Sequence, residues 1–244
     1  MKPYIQLTIR TKASTASWAL GEQFIDTLEE HAGLLLPEQI SHNPDKFTES
    51  YAGKMAMEQR WAAPCTLRYG GGMFEVAEEF AWRRKKTIKS TGYVSHTKRN
   101  IRGQIVPGGV SFTSAYSRNI DFHVLFKQWC HIFPPQIAML HPFLSLELAN
   151  LERYDSFRLG SFNASLRPDI PDVAWAMFYG PDFCQRIDVE RLLAAGFFVE
   201  KMGEGILVRV TEHIDDVEND FPMFLRRRAE LKGLFPVGFF LDKE

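Results

Sequence analysis

The sequence predicts an α+β fold, a mainly antiparallel sheet with packed helices, built as one domain over residues 1–244. Period-two apolar runs recur at residues 4–9, 110–116 and 173–179. Apolar stripes at helical spacing follow the first two runs, and a glycine-containing hairpin lies in the last third. The order is strand–helix, an irregular middle, strand–helix–strand, then strand–helix–hairpin–helix, a mixture typical of α+β chains. Each half holds an aromatic strand and a helix, so 1–109 and 110–244 are candidate similar sub-halves.

The first strand alternates Tyr4, Gln6 and Thr8 with Ile5, Leu7 and Ile9, which gives it one apolar face. Ser14 or Ser17 caps the helix that follows, where Trp18, Ile25, Leu28 and Ala32 share a face and Glu29 and Glu30 lie on the wet side. Gly33 supplies the left-handed residue that ends such a helix. From Leu34 to Pro64 the pattern is weak and broken by prolines, with Met55, Met57 and Trp61 marking a short helix. Residues 73–82 fit both periods: Met73, Val76, Ala77 and Phe80 suit a helix, Phe74, Val76, Phe80 and Trp82 a strand. From Arg83 to Gly109 the chain is polar, basic and without an apolar period, which predicts a hairpin or a long mobile loop.

Val110, Phe112, Ser114 and Tyr116 restore a strand pattern. Asn119 or Asp121 caps the next helix, whose stripe is Phe122, Leu125, Phe126, Trp129 and Ile132 and whose end is set by Pro134-Pro135. Gln136–Leu140 follows as a strand and Leu144–Leu151 as a short helix. Residues 173–179 are apolar on both faces, which predicts a strand covered on both sides. Gly180 provides an unusual backbone angle there and Pro181 the first helical turn. Asp188 caps Val189–Ala195, closed by Gly196, and Gly203-Glu204-Gly205 turns a hairpin between 197–201 and 206–210. The last helix follows Asp220, with Phe221, Phe224, Leu225 and Leu231 inward and Arg226, Arg227 and Arg228 largely outward.

The 244 residues are 45% hydrophobic and include 20 phenylalanines, enough for a substantial core. A net charge of -1 gives no global attraction to nucleic acid or anionic membrane. Cys65, Cys130 and Cys184 are odd in number, widely spaced and without a CxxC pair, which favours a reducing compartment. The N-terminus lacks a signal-peptide core, and no apolar run approaches the roughly 20 residues that span a bilayer. The expectation is a cytoplasmic protein.

No motif for reactive chemistry stands in the sequence. No GxSxG elbow occurs, and Gly103–Gly109 and Gly70–Gly72 lack the lysine and hydroxyl of a phosphate loop. Cys130 and His131 are adjacent on a helix and so diverge, while His213, Asp215 and Asp216 have no second histidine at ligand spacing. The expectation is a protein that is not an enzyme, with no cofactor, no catalytic residues and no metal.

Two charge runs remain. Arg83-Arg84-Lys85-Lys86, with Lys89, Lys98, Arg99 and Arg102, is interleaved with Trp82 and Tyr93 and reads as a solvated loop or as a phosphate-binding arm. On the second meaning, the alternative function is a nucleic-acid-associated protein or an enzyme using region 83–102. Glu212, Asp215, Asp216, Glu218 and Asp220 form an acidic run beyond the hairpin. It is either solvated and dipole-complementing or a partner-binding surface for a basic protein.

The segment Trp175-Ala176-Met177-Phe178-Tyr179-Gly180-Pro181 resembles bacterial immunity proteins of polymorphic and type VI secreted toxins, chiefly the Immunity protein 52 family, with a related-looking type VI immunity family second. The Gly203–Val208 hairpin, the closing Arg/Leu helix to Leu234-Phe235-Pro236, the Leu125-Phe126 to Trp129 helix before Pro134-Pro135, and the N-terminal strand before the Trp18 helix are similar too. The likeness is best over 173–236, and Arg83–Gly109 matches no part of it. It implies stoichiometric neutralisation of a cognate toxin in the producing cell, an antitoxin-like role in bacterial competition. The implied toxin is a restriction-endonuclease-like nuclease, inhibited at its active site or by blocked assembly. An acidic docking surface suits such a partner, because faces that hold phosphates are basic. Homodimerisation is compatible with the role, and direct nucleic-acid binding is not expected.

Overall fold

In a computed structural model, residues 2–69, 72–149, 157 and 172–240 are described. In chain order they form β1 (Tyr4–Thr11), α1 (Trp18–Glu30), β2 (Gln39–Ser41), β3 (Glu49–Ser50), α2 (Lys54–Met57), β4 (Pro64–Tyr69), β5 (Gly72–Ala77), β6 (Phe80–Arg84) and β7 (Ser90–Ser95). Then come β8 (Lys98–Arg99), β9 (Ile105–Val106), β10 (Gly108–Ala115), α3 (Phe122–Ile132), β11 (Ile137–Phe143), α4 (Ser145–Leu148) and β12 (Ala176–Tyr179). The described chain closes with α5 (Pro181–Cys184), α6 (Val189–Ala194), β13 (Phe198–Met202), β14 (Gly205–Arg209), α7 (Asp216–Asn219) and α8 (Phe221–Gly233).

The α+β class is as the sequence predicts. Ten strands make one sheet in the order β13-β14-β12-β11-β1-β10-β7-β6-β2-β3, and the paired neighbours are antiparallel. β4–β5 and β8–β9 are separate two-stranded hairpins. Alternation sorts the side chains onto two faces. Leu7 lies opposite Phe112 and Leu140, and this face meets α1 and α3. Trp82 packs edge-on to Phe24 of α1 at 5.1 Å, and Phe112 edge-on to Trp129 of α3 at 5.2 Å. Trp129 also donates to Thr27 Oγ1 at 2.7 Å, so the two helices are joined through a buried indole. On the other face His141 and Tyr179 meet Phe224 on α8 and Phe235 beyond it. Each fully buried aromatic or aliphatic side chain contributes ~1.5–3 kcal/mol relative to exposure.

Several expectations need correction. The ambiguous 73–82 stretch is two strands, β5 and β6. Of the two forms expected for the basic region after it the hairpin holds and the long loop does not: β8 pairs with β9, and β6 and β7 pair inside the main sheet. Their polar character misleads because Trp82 and Val94 fill the core while Arg83 and Arg84 are held by neighbours. Met55 is exposed, leaving Met57 and Trp61 as the apolar contribution of that turn. On α8, Leu225 is largely exposed and Arg228 is buried, the reverse of the expectation. The spacing 221, 224, 228, 231 is one helical stripe, and Arg228 occupies a place in it. Gly180 has an ordinary φ of -75°. A Cβ there would lie 2.5 Å from the Pro135 carbonyl oxygen, so glycine serves close approach and not an unusual angle. Among the described residues no helix is long and apolar enough to cross a membrane.

Candidate functional site

A groove of about 650 Å³ opens where β10 and β14 leave the sheet and β12 enters it. Its floor is Trp175, whose indole N–H donates to Thr211 Oγ1 and the His213 carbonyl, both at 3.1 Å. The Arg209 guanidinium lies over the Phe198 ring at 4.7 Å and 5.9 Å from Trp175, and donates to the Glu212 carbonyl at 2.7 Å. Opposite, His123 stands edge-on to Trp175 at 5.5 Å. Burial, with Arg209 and Lys127 nearby, lowers the His123 pKa. The sequence offered no signal for this constellation, because Tyr116, Arg118 and His123, Trp175, and Arg209 come from three separate segments.

The five acidic candidates have different local roles. Asp215 enters the groove, where it accepts from the Tyr116 hydroxyl and faces Arg118 Nε at 3.4 Å. Burial and this carboxylate together push the Tyr116 phenol pKa up. Asp216 Oδ2 accepts from the His213 N–H at 3.1 Å, and Asp220 Oδ1 accepts from the Met223 N–H at 3.1 Å, capping α8. Glu212 lines the groove, and both it and Glu218 are exposed. The structure therefore brings Glu212 and Asp215 to one groove and assigns Asp216 and Asp220 to backbone N–H groups.

The basic candidates also divide. Arg83 donates to Gln39 Oε1 at 2.8 Å and lies over Phe47 at 4.4 Å, and Arg84 donates to the Leu36 carbonyl at 3.0 Å. Lys86 faces Glu38 at 3.7 Å, and the aromatic Trp82 is in the core. Lys98, Arg99 and Arg102 instead stand on the β8–β9 hairpin, where eight consecutive residues, 98–105, are exposed.

A buried ionic chain lies beneath the opposite sheet face. The Trp175 N–H donates to His141 Nδ1 at 2.9 Å, so the ring proton sits on Nε2, which donates to Glu147 Oε2 at 2.6 Å. Arg228 bridges Glu147 at 2.5 Å and Asp172 at 3.1 Å, and Lys232 reaches Asp172 at 3.2 Å. Burial alone would raise the Glu147 pKa, but His141 and Arg228 outweigh it and hold the carboxyl at about 2. Burial opposes ionisation of Asp172 too, and Arg228 and Lys232 overcome it. The chain ties α4, α8, β11 and the entry to β12 together. It resembles an acid–base relay only in its residue types, since His141 and Glu147 are sealed from solvent.

Among the described residues no three His, Cys, Asp or Glu side chains converge as metal ligands. Cys130 is buried, which raises its thiol pKa well above the usual range, whereas its neighbour His131 is exposed. A second groove, of about 560 Å³, runs past Ala13, Pro134, Pro135, Phe178 and the Met202–Gly205 turn.

No family model matches the chain. No curated protein matches its sequence. Among solved structures, a Pseudomonas aeruginosa type VI secretion system (T6SS) protein, PA0821, aligns over 96% of this chain and 76% of its own, with a TM-score of 0.53 and 13% identity. The two share a fold. A Trypanosoma brucei AdoMetDC monomer aligns over 85% of this chain and 63% of its own at a TM-score of 0.29 and 5% identity, too low to carry an argument.

Proposed function

We propose that this protein is an immunity protein of the type VI secretion world, which binds a cognate toxin stoichiometrically and neutralises it without chemistry of its own. The observation that carries the reading is the fold shared along nearly the whole chain with the Pseudomonas aeruginosa T6SS protein PA0821. The resemblance of residues 173–236 to toxin-immunity families supports it from the sequence side. The toxin proposed is a nuclease of the restriction-endonuclease-like class, and the place of action is the cytoplasm of the producing cell.

The physical build suits inhibition by binding. Arg209, Asp215 and the β8–β9 turn are each fixed by hydrogen bonds, so surface features are pre-organised and lose little freedom on association. The test is co-expression with the product of the adjacent gene. The expected result is restored growth and a complex of fixed stoichiometry on gel filtration. Continued killing with no co-elution would end the proposal.

A further inference from the structure

Between Glu79 and Asp121 the chain contains nine Lys or Arg residues and no Asp or Glu. The protein as a whole carries a net charge of -1, so this segment holds a concentrated positive charge against an acidic remainder. Arg83 and Arg84 are held by their neighbours, as described above, whereas Lys85, Lys86 and Lys89 are exposed. The hairpin turn is where exposed cations stand beside exposed aliphatic side chains: Lys98, Arg99 and Arg102 are exposed, and with them Ile101 at 75% and Ile105 at 46% exposure.

The turn is built, and built around one side chain. Asn100 Oδ1 accepts from the N–H of Arg102 at 2.9 Å and of Gln104 at 3.0 Å, while its amide donates to Gln104 Oε1 at 2.9 Å. Arg99 Nη1 donates to the Gly103 carbonyl at 2.7 Å, and Gly103 takes the left-handed φ of 73° that closes the turn. At the root, Thr97 Oγ1 donates to the Ala13 carbonyl at 2.6 Å, and the Thr97 N–H donates to Thr15 Oγ1 at 3.0 Å. Ala13 also lines the second groove, so the hairpin stands beside a cleft whose walls include Pro134, Pro135, Phe178 and Met202. Two isoleucines left in water on this turn contribute little to the core.

We infer that the β8–β9 hairpin is the docking element of this protein, and that its occupant is an acidic protein surface with an apolar pocket that takes Ile101. The inference rests on the immunity reading, with the cognate toxin as the partner, engaged on an acidic face away from the basic surface that holds phosphates. Charge complementarity fixes the sign of the surface, because the hairpin has three cations and no carboxylate. Aliphatic tips favour protein over nucleic acid, since isoleucine offers no π-face on which a base can stack. They favour protein over membrane as well, since the tip lacks the Trp and Tyr that anchor at an interface. Arg102 presents the planar fork that binds carboxylates in bidentate fashion.

The experiment measures binding of the purified full chain to the adjacent gene's toxin by calorimetry and stopped flow. Variants are Lys98→Glu with Arg102→Glu, and separately Ile101→Asp, leaving Arg99 in place because it holds the turn. A paired control, Glu212→Lys with Glu218→Lys, reverses charge on the acidic side. Each hairpin variant is expected to weaken binding about tenfold or more, the charge reversal mainly through slower association, while thermal melting is unchanged. The control is expected to bind as wild type. Wild-type affinity in both hairpin variants overturns the inference and leaves the immunity reading standing. A wild-type chain that neither binds nor protects overturns the reading itself. Hairpin-dependent, salt-sensitive binding to a mixed-sequence DNA duplex or to anionic vesicles, without loss of toxin affinity, assigns the hairpin to another class of partner and overturns the inference too.

Discussion

The acidic turn after β14 and the basic β8–β9 hairpin sit at opposite ends of β10, and they use their charges differently. At the acidic turn Asp215 serves Tyr116 and Arg118, Asp216 serves a backbone N–H, and Asp220 caps a helix. At the hairpin one uncharged side chain, Asn100, performs most of the local bonding, and Lys98 and Arg102 are left facing solvent. The difference teaches that a run of like charges is not one kind of feature. What separates an architectural run from a docking run is how many of its charged atoms already have partners.

The largest expected effect lies with the most fully engaged charge. Arg228→Leu removes the buried cation shared by Glu147 and Asp172, leaving them only His141 and Lys232, and should cost about 3–5 kcal/mol in urea unfolding. A loss below about 1 kcal/mol would show that the buried chain is dispensable, contrary to its geometry. Asp215→Ala comes next. It removes a partly exposed carboxylate from the Tyr116 hydroxyl, and about 1–2 kcal/mol is expected. If its stability matches wild type, the acidic turn is as free as the hairpin and the contrast collapses.

The root of the hairpin supplies a pH-dependent case. His96 is buried beside Thr15 and Trp61, and burial lowers its pKa to about 4. The ordinary histidine value is 6.5, so the unfolded chain takes up the proton first as pH falls. The contribution of neutral His96 is complete above pH 6.5 and is lost as pH drops through about 4. His96→Gln should flatten that part of the stability profile, read as the urea midpoint between pH 7 and 4. A profile as steep as wild type would place the acid sensitivity elsewhere. The smallest effect is expected at the tip, where Arg102→Ser should change stability by no more than about 0.5 kcal/mol, measured by thermal melting. A larger loss would make Arg102 part of the architecture.

Much of the fold was legible because local rules and tertiary structure agree there. Asp121, Asp188 and Asp220 cap helices as their positions suggest, through bonds to Val124, Arg191 and Met223. The alternation in β1 and β10 and the Gly-turned β13–β14 hairpin are local signals of the same kind. Where the outcome depended on distant partners, the signal failed. Arg228 is charged and so reads as outward, yet Glu147 and Asp172, both far away in the chain, draw it into the core. β6 and β7 look like loop because their polar residues bond to the 36–39 segment. The groove at Trp175 was illegible for the same reason: its walls come from segments that meet only after the sheet closes. The hairpin is visible in the sequence as charge, but only the Asn100 network and the exposed isoleucines distinguish it from the rest of the same basic region.

Hydrogen–deuterium exchange on the full chain, alone and with its toxin, tests the central claim most directly. The account predicts that toxin binding slows exchange across residues 98–105 and leaves residues 212–220 unchanged. Slowed exchange at 212–220 with an unaffected hairpin would contradict it and return the docking surface to the acidic turn.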